Sequence, residues 1–434
     1  MGKNVYLTGQ AGSGKTYVLN YYVDFLKSHR IPVAVTASTG IAATHLNGTT
    51  IHSWSGIGIK SQLTDFDLNR IADTPGLAAK IQSAKVLIID EISMLHSYRV
   101  DMVNQVCKYL RLNPQPFGGL QIVLCGDFFQ LPPINETGMP SSGFAFKSKA
   151  WAESDLSICY LTEQHRQDDE SFLQLLNTIR SQEVDDYVFE KLSGRMHVSL
   201  SSKTPTRLYS HNIDVDAVNV AQLEKISQPE NIFLMTSQGK KPLVETLKKG
   251  CLAPPRLVLK KGALVMFIKN NPPKGYMNGT LGKVIGFDEE NFPIVETYSG
   301  KKIIADSVSW ELAENDKVLA QITQVPLRLA WAITVHKSQG MSLDAAEIDL
   351  SKSFAYGMGY VALSRVKTLD GIKLLGLNPM ALQVDSEIAG LDIELKKLSA
   401  RVSLSLSQIS PKSLQKIQSD FLTKITASNS SDQF

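Results

Sequence analysis

Short, nearly continuous apolar runs recur through the first third of the chain and alternate with helical spacing, as from Tyr17 to Lys27. The runs are VYLT (5–8), PVAVTAS (32–38), KVLIIDEIS (85–93), QIVLCGD (121–127) and ICYLTE (158–163). Strands buried on both faces of a parallel sheet have this composition, because helices cover both sides of the sheet. The pattern predicts an α/β domain whose ligands bind at the carboxyl ends of the strands.

A second set of strand-like runs begins near residue 206 and predicts another α/β domain. Its members are RLYSHN (207–212), LAWAITVH (329–336), AAEIDL (345–350) and IKLLGL (372–377). Between them, residues 254–310 carry short alternating runs broken by Pro, Gly and Asn-Gly turns, which predicts a small inserted antiparallel barrel. Residues 49–80 fit no strand–helix pattern and indicate a smaller insertion in the first domain.

These patterns predict three segments. The first domain covers residues 1–160 with its insertion at about 49–80, the second covers 161–385 with its insertion at about 226–320, and 386–434 form a helical or disordered tail. The chain has 434 residues, of which 43% are hydrophobic and 20% charged. This composition supplies a core for each domain and excludes a disordered chain.

Charge and cysteine content change this picture little. The net charge of +3 permits a nucleic-acid partner without arguing for one. The four cysteines lack metal-ligand spacing, so reduced thiols are expected. No apolar run reaches the ~18 residues of a membrane span, and no signal peptide precedes the first strand. We therefore expect a cytoplasmic protein with no membrane partner.

The sequence GQAGSGKT (9–16) follows the first strand and precedes a helix, which is the context of a phosphate-binding loop. Gly9, Gly12 and Gly14 let backbone N–H groups point inward and hold phosphate oxygens at a helix N-terminus. Lys15 would place its charge on the β- and γ-phosphates of ATP, and Thr16 would offer a hydroxyl to Mg²⁺. The alternative is a glycine-rich turn without a ligand.

Two carboxylates and an amide follow neighbouring runs. Asp90 ends the run KVLIID and would hold Mg²⁺, partly through water, while Glu91 is placed to act as general base for the attacking water. The alternative for the carboxylate pair is a helix cap. Gln130, in GDFFQLPPI (126–134), would reach the γ-phosphate. Together these residues predict a nucleoside-triphosphate hydrolase, although kinases, GTPases and other ATP-driven machines share the pattern.

Two arginines are candidates for the residues that complete charge stabilisation on the transferred phosphoryl group. Arg166 lies in EQHRQ (163–167) and Arg365 in GYVALSRVKT (359–368). Such arginine fingers contribute ~10³ or more to the rate. An isolated arginine in a loop is more often a solvated surface charge, so the surrounding motifs decide between the two interpretations.

Those motifs form a recognisable set, and the chain resembles the superfamily 1B DNA helicases of the Pif type (petite integration frequency). The resemblance covers roughly residues 3 to 378. The stretch PFGGLQIVLCGDFFQLPP (116–133) is highly specific to that family. It is one of eight motifs that occur in the same order as in the family. The other seven are GQAGSGKT, TASTGIAA (36–43), GTTIHSWSGIG (48–58) and IIDEISM (88–94) before it, and LTEQHRQ (161–167), AWAITVHKSQGMSLD (330–344) and YVALSRVK (360–367) after it.

The resemblance implies two RecA-like P-loop NTPase domains that close on ATP, with Arg166 and Arg365 reaching across from the second. Gly340 would let the loop 336–340 approach the nucleotide and the DNA strand closely. The inserted barrel resembles the family's SH3-like domain, and residues 49–80 resemble its small wedge. The activity implied is 5′-to-3′ movement on single-stranded DNA, with unwinding of forked duplexes and G-quadruplexes. The resemblance also implies roles in DNA repair, recombination and telomere maintenance. It implies a monomer that sometimes dimerises on DNA.

The DNA track is predicted on the loops that follow the strands. Hydroxyls and backbone N–H groups there suit phosphates, and aromatic rings suit bases. The alternative for the tryptophan is packing within the insertion. The predicted DNA-binding residues are Thr36, Ser38, Thr39, His52, Trp54, His336 and Lys337.

The chain departs from the family in two respects. The long N- and C-terminal extensions of eukaryotic relatives are absent, and with no transit peptide we expect a bacterial or phage cytoplasmic enzyme. The second departure concerns adenine. A glutamine that reads adenine usually precedes the phosphate loop, and only eight residues precede Gly9. Adenine selectivity is therefore open, whereas triphosphate hydrolysis is not. A kinase would need a phosphoacceptor pocket in place of the second RecA-like half, and Arg365 argues against it. A nucleic-acid-binding module that uses ATP only as a switch would need no base such as Glu91.

Overall fold

The computed structural model describes residues 2–427 except 47, 59, 75, 134–142, 168, 201–204, 252, 270, 277, 299 and 315–316. The chain divides into two compact units. The first unit comprises residues 1–165 together with 384–434, and the second comprises residues 166–383.

The first unit contains a six-stranded parallel sheet in the order β3-β2-β4-β5-β1-β6. All five residues of β4 are buried, because this strand has neighbours on both sides and helices above and below. The α/β class predicted from the apolar runs is confirmed. The strands are β1 (Val5–Gly9), β2 (Val33–Ala37), β3 (Thr49–Thr50), β4 (Val86–Asp90), β5 (Gln121–Cys125) and β6 (Ser157–Leu161). The helices among them are α1 (Lys15–Ser28), α2 (Gly40–His45), α3 (Ile51–Ser55), α4 (Asp65–Ala72), α5 (Leu77–Ser83), α6 (Ser97–Leu110) and α7 (Lys149–Glu153).

This strand order positions the candidate chemistry. Strands β4, β5 and β1 are successive neighbours, so the loops that leave their carboxyl ends emerge side by side. Beyond β2, the small insertion at 49–80 consists of β3 and the short helices α3, α4 and α5. A capping box begins α4, in which Thr64 and Asp67 each accept a hydrogen bond from the other's backbone N–H.

The second unit contains a four-stranded parallel sheet and an antiparallel insertion. Its helices and first strands are α8 (Glu170–Ser181), α9 (Asp186–Ser193), β7 (Thr206–Tyr209), α10 (Asn212–Glu224), β8 (Asn231–Leu234), β9 (Thr236–Gly239), α11 (Lys241–Gly250), β10 (Arg256–Leu259) and β11 (Leu264–Phe267). These are followed by β12 (Leu281–Phe287), β13 (Pro293–Thr297), β14 (Lys302–Ile304), β15 (Val308–Glu314), β16 (Lys317–Gln324), β17 (Leu327–Leu329), β18 (Ala332–Thr334), β19 (Ala346–Leu350), α12 (Met358–Leu363) and β20 (Ile372–Leu377).

The parallel sheet of the second unit has the order β18-β7-β19-β20. The insertion between β7 and β18 holds a five-stranded antiparallel sheet in the order β14-β13-β12-β11-β17, and two smaller sheets, β15-β16-β9 and β10-β8. Its buried residues form a separate hydrophobic core that includes Val265, Phe267 and Val295. An antiparallel insertion was predicted here, and its sheet extends to Leu329.

The segment predicted as a separate tail is grouped with the first unit. It forms α13 (Ser386–Ser407) and α14 (Pro411–Ala427). Leu422 and Ile425 of α14 pack on the core cluster that contains Leu7 and Leu19, which explains why this Ser-rich segment is ordered. Residues 428–434, where fraying was predicted, lie outside the described residues. In the part of the chain that is described, no helix is long and apolar enough to cross a membrane.

The turn before β5 generates a prediction about stability. Gly118 has φ +64°, and a β-carbon there would lie 2.5 Å from the Cys107 carbonyl oxygen of α6. We expect Gly118→Ala to lower the free energy of unfolding by about 2–3 kcal/mol, because it combines a left-handed backbone with a backbone clash. Urea unfolding followed by tryptophan fluorescence measures this.

The matched control is Gly58→Ala in the same unit. Gly58 has φ +57° but no atom within 4 Å of the added β-carbon. This change should cost only about 1 kcal/mol. Equal losses for the two variants would mean that the close approach to α6 contributes nothing.

Candidate nucleotide and nucleic-acid sites

The glycine-rich loop between β1 and α1 adopts a backbone that only glycine accepts readily. Gly9, Gly12 and Gly14 have φ of 146°, 90° and 84°. Gly14 is the N-cap of α1, so the first N–H groups of that helix face the loop. The Lys15 ammonium donates hydrogen bonds of 2.8 Å to the carbonyl oxygens of Gly9 and Gln10. The loop therefore holds a cation and helix N–H groups where an anion would bind.

The two candidate carboxylates lie at the end of β4. Asp90 is only 7% exposed, and burial raises the pKa of its carboxyl group. Its Oδ1 accepts a 2.8 Å hydrogen bond from the Glu91 backbone N–H, and the Cys125 thiol on the neighbouring strand hydrogen-bonds the same carboxylate. Glu91 has φ 52° and ψ 45°, a left-handed conformation that is strained for a residue with a side chain. Such strain concentrates at functional sites.

A hard divalent cation fits the available donors. The Asp90 carboxylate and the exposed Thr16 hydroxyl are oxygen ligands of the kind that Mg²⁺ prefers. Within the described residues, no group of three or more His, Cys, Asp or Glu side chains has a metal-binding arrangement. Mg²⁺ in nucleotide-binding proteins is commonly held by one or two carboxylates together with substrate phosphates and water.

The loop after β5 adds an amide beside the phosphate loop. Gln130 is 6% exposed, and its backbone N–H donates to the Asp127 carbonyl oxygen at 3.0 Å. The Gln130 side-chain Nε2 donates to Asp127 Oδ2 at 3.4 Å. Because β5 lies between β1 and β4, the structure brings Lys15, Asp90, Glu91 and Gln130 to adjacent strand ends.

Two residues that touch the phosphate loop were not singled out from the sequence. Gln164 Nε2 donates to Gln10 Oε1 at 2.8 Å, and the His165 backbone N–H donates to the Gly12 carbonyl oxygen at 3.1 Å. Both follow β6, which pairs with β1. Their position after an apolar run was the signal that identified the other site residues, so the same argument applied to ICYLTE would have found them.

The two candidate arginine fingers meet in the second unit. Arg365 is 1% exposed; its Nε donates to the Val361 carbonyl oxygen, and its Nη2 donates to Ser364 Oγ, both at 2.9 Å. Arg166 Nη1 donates to the Ser364 carbonyl oxygen at 3.1 Å, and Gln167 Nε2 donates to the same oxygen at 3.0 Å. The side chain of Arg365 is thus turned into its own unit, and the arginine-finger role stays a prediction.

The three hydroxyl residues of the first unit that were predicted to contact DNA phosphates differ in whether their hydroxyl groups already have hydrogen-bond partners. Thr36 is fully buried, and its hydroxyl donates to the Ile88 carbonyl oxygen at 2.6 Å, so this hydroxyl stabilises the sheet and is not offered to DNA. Thr39 Oγ1 accepts a 3.2 Å hydrogen bond from the Ala42 backbone N–H at the start of α2. Ser38 has a buried hydroxyl with no hydrogen-bond partner among the described residues.

The small insertion changes the expectation for two further residues. Trp54 is 3% exposed within α3, so its ring is buried and is not available for base stacking in this structure. This outcome corresponds to the packing alternative. His52 is half-buried, and burial together with nearby Arg99 lowers its pKa to about 4. A neutral imidazole at pH 7 provides no positive charge for a phosphate.

An aromatic cluster lies at the carboxyl ends of three neighbouring strands of the second sheet. His336 follows β18, His211 follows β7 and Phe354 follows β19. The Phe354 ring centroid is 5.0 Å from that of His211 and 6.2 Å from that of His336, with interplanar angles of 28° and 15°. Phe354 is 55% exposed. His336 was predicted from the sequence, whereas His211 and Phe354 were missed because each stands alone in its loop.

Two cations lie close together beside this cluster. Burial lowers the pKa of Lys337, and the positive charge of Arg328 lowers it further, while Asp216 acts in the opposite direction. Arg328 is itself desolvated, and its Nε has no hydrogen-bond partner among the described residues. A bound anion would stabilise the neighbouring charges of Lys337 and Arg328 and would accept a hydrogen bond from Arg328 Nε. Gly340, with φ +79°, is exposed on the following loop.

Comparison with known families gives matches along both units. A model of the PIF1-like helicase family matches residues 1–197, and a model of the 2B domain of DNA helicase Pif1 matches residues 242–287. An ATP-dependent DNA helicase Pif1 of Psychrobacter sp. is 44% identical, covering 97% of this chain and 73% of that protein. The Xenopus laevis enzyme is 36% identical, covering 93% of this chain and 64% of that protein. The chain is thus shorter than either relative.

Solved structures give the same result. Bacteroides sp. Pif1 in complex with ADP-AlF4 superposes with a TM-score of 0.79 at 30% identity, covering 91% of this chain and 94% of that one. The same helicase with ADP-AlF3 and single-stranded DNA gives 0.63 at 30% identity, covering 90% and 92%. A structure of two coordinating Pif1 helicases at forked duplex DNA gives 0.62 at 30% identity, covering 91% and 93%.

The geometry of the phosphate loop predicts that Lys15→Ala lowers ATP turnover by at least about a hundredfold. The loop keeps its N–H groups but loses the charge that is predicted to face the β- and γ-phosphates. Steady-state ATP hydrolysis measures the effect, and single-stranded DNA binding should survive. Lys27→Ala, in the last turn of the same helix, is the control and should leave turnover unchanged. Normal turnover by Lys15→Ala would exclude this loop as the ATP site.

Proposed function

This chain belongs to the PIF1-like helicase family and is an ATP-dependent DNA helicase, and we propose that it moves 5′ to 3′ along single-stranded DNA and unwinds the duplex ahead of it. The observation that carries the proposal is the convergence of three loops at adjacent strand ends of the first sheet. These are the phosphate loop with Lys15, the acidic turn Asp90–Glu91 and the loop with Gln130.

In the proposed site, ATP phosphates lie on the loop N–H groups and Lys15. Mg²⁺ bound there would neutralise phosphate charge, held by the Thr16 hydroxyl and by Asp90, partly through water. Glu91 accepts the proton of the attacking water, since it is the carboxylate next to Asp90 that remains partly exposed. Gln130 orients toward the γ-phosphate. Arg166 and Arg365 complete the charge stabilisation from the second RecA-like domain.

The aromatic cluster of His211, His336 and Phe354 is proposed as part of the DNA track of the second unit. An exposed ring supported by two imidazoles offers a stacking surface for bases of any sequence. Lys337 and Arg328, next to it, supply the charge for the phosphates between those bases. The support for this assignment is the combination of exposed ring, crowded cations and unmatched Arg328 donor in one place.

Further aspects of the function belong to the proposal as well. G-quadruplexes are an additional substrate, and the enzyme acts as a monomer that pairs with a second copy on some forks. Its roles lie in DNA repair, recombination and telomere-type maintenance, within the cytoplasm of a bacterium or a phage-infected cell. The alternatives of a small-molecule kinase or an ATP switch without turnover are disfavoured by the family membership and by Glu91.

Unwinding polarity tests the proposal directly. The substrates are two partial duplexes that are identical except for a 5′ or a 3′ single-stranded tail. With ATP and Mg²⁺, we expect strand separation from the 5′ tail and little or none from the 3′ tail. A gel assay or a fluorophore–quencher pair measures it. Unwinding from the 3′ tail alone would contradict the assigned direction while leaving the helicase activity in place.

The proposed track predicts that Phe354→Ala raises the Kd for single-stranded DNA about fivefold or more, because one base–aromatic stack is lost. Fluorescence anisotropy with an oligothymidine measures the Kd, and hydrolysis without DNA should be unchanged. Phe189→Ala is the control, since that ring is 41% exposed on α9 of the same unit but stands apart from the cluster. An unchanged Kd in Phe354→Ala would remove the cluster from the track.

A further inference from the structure

Helix α13 contacts the open edge of the first sheet. Strand β6 is the last strand in the order, so one side of its backbone has no strand partner. The backbone N–H of Tyr160 in β6 donates a 2.9 Å hydrogen bond to Ser399 Oγ of α13. The segment that was predicted as a separate tail thus supplies a hydrogen-bond acceptor to β6, the strand beside the phosphate-loop strand.

A part-buried hydrogen bond between Tyr160 and Asp392 belongs to the same contact. The Tyr160 hydroxyl donates a 2.8 Å hydrogen bond to Asp392 Oδ1, and Lys396 Nζ lies 2.7 Å from Asp392 Oδ2. The Lys396 ammonium is also 5.4 Å from the centre of the Tyr160 ring. Asp392 is only 8% exposed. Apolar residues would cover a strand edge at a lower desolvation cost. We therefore expect this carboxylate to fix the orientation and register of α13 on β6 more than to add to the free energy of unfolding.

From Tyr160, one line of contacts leads to the phosphate loop. Tyr160 pairs in register with Thr8, and Leu161 pairs with Gly9. A β-carbon on Gly9 would lie 2.6 Å from the Leu161 carbonyl oxygen, which shows how closely β6 approaches the loop. A few residues further on, Gln164 and His165 make their hydrogen bonds to the phosphate loop.

A second line of contacts leads to the loop that carries Gln130. Ile388, Leu391 and Leu395 of α13 line one small pocket together with Phe128 and Phe129. These two phenylalanines stand immediately before Gln130, and Asp127, which holds Gln130, lines the same pocket. The apolar side of α13 therefore supports the loop whose Gln130 amide is proposed to reach the γ-phosphate.

We propose that Tyr160 and Asp392 are positioning residues for ATP hydrolysis, through which helix α13 holds the phosphate loop and the Gln130 loop in their catalytic arrangement. The proposal rests on the proposed function, because it assumes that ATP is hydrolysed at this loop. Neither residue touches ATP; each acts through β6 and the loops that follow it.

The test uses Tyr160→Phe, Asp392→Ala and Asp392→Asn in the full chain, with kcat and KM for ATP measured at saturating single-stranded DNA and Tm measured in parallel. We expect Tyr160→Phe and Asp392→Ala each to lower kcat about three- to tenfold, while KM changes less than about twofold. The double variant should lose no more than the larger single loss, because both changes remove the hydrogen bond between Tyr160 and Asp392, and only Asp392→Ala also removes the ion pair with Lys396. Asp392→Asn keeps an oxygen acceptor and should recover most of kcat.

Glu394→Ala is the matched control, since Glu394 is an exposed acidic residue on the same helix, and its kcat should equal that of the wild type. A fall in Tm with wild-type kcat in Tyr160→Phe and Asp392→Ala would overturn the proposal and make the contact purely structural. Additive losses in the double variant would also overturn it. If the wild type itself fails to hydrolyse ATP, the proposed function fails, which is a separate result.

Discussion

Strands β4, β5 and β1 lie next to one another in the first sheet, and the rest of the site depends on this parallel neighbourhood. Each strand is too apolar to lie at a surface, so helices must cover both faces and the polar residues are left to the carboxyl ends. There the cation of Lys15, the buried carboxylate of Asp90 and the amide of Gln130 emerge from adjacent positions. The position proposed for ATP therefore follows from the strand order together with these three side chains.

The two units divide the work that a helicase needs. The first holds the phosphate loop and the residues proposed for hydrolysis. The second holds Arg166 and Arg365, joined through Ser364, and an aromatic cluster beside crowded cations. The helix that follows the second unit along the chain packs on the first, where its Asp392 binds Tyr160. The C-terminal segment is thus part of the ATP-binding unit.

Much of the site could be predicted because its signals are local. The phosphate loop needs glycines at positions of positive φ, and their spacing in the eight residues GQAGSGKT is enough to predict the loop. Three other features needed the fold. Thr36 and Trp54 were predicted to contact DNA, yet the Thr36 hydroxyl donates to a carbonyl oxygen of the sheet and the Trp54 ring is buried. Phe354 stands alone in its loop and gains a role only when the strand order brings two histidines beside it. The packing of α13 on β6 joins residues more than 200 positions apart, which no periodicity reveals.

We propose that DNA-coupled ATP hydrolysis occurs at the phosphate loop with Glu91 as the base. The most direct measurement is steady-state ATP turnover with and without an oligothymidine, for the wild type and for Glu91→Gln. We expect strong, saturable stimulation of the wild type by DNA, and a variant that still binds ATP but shows almost no turnover under either condition. Turnover that ignores DNA, or a Glu91→Gln variant as fast as the wild type, would contradict it.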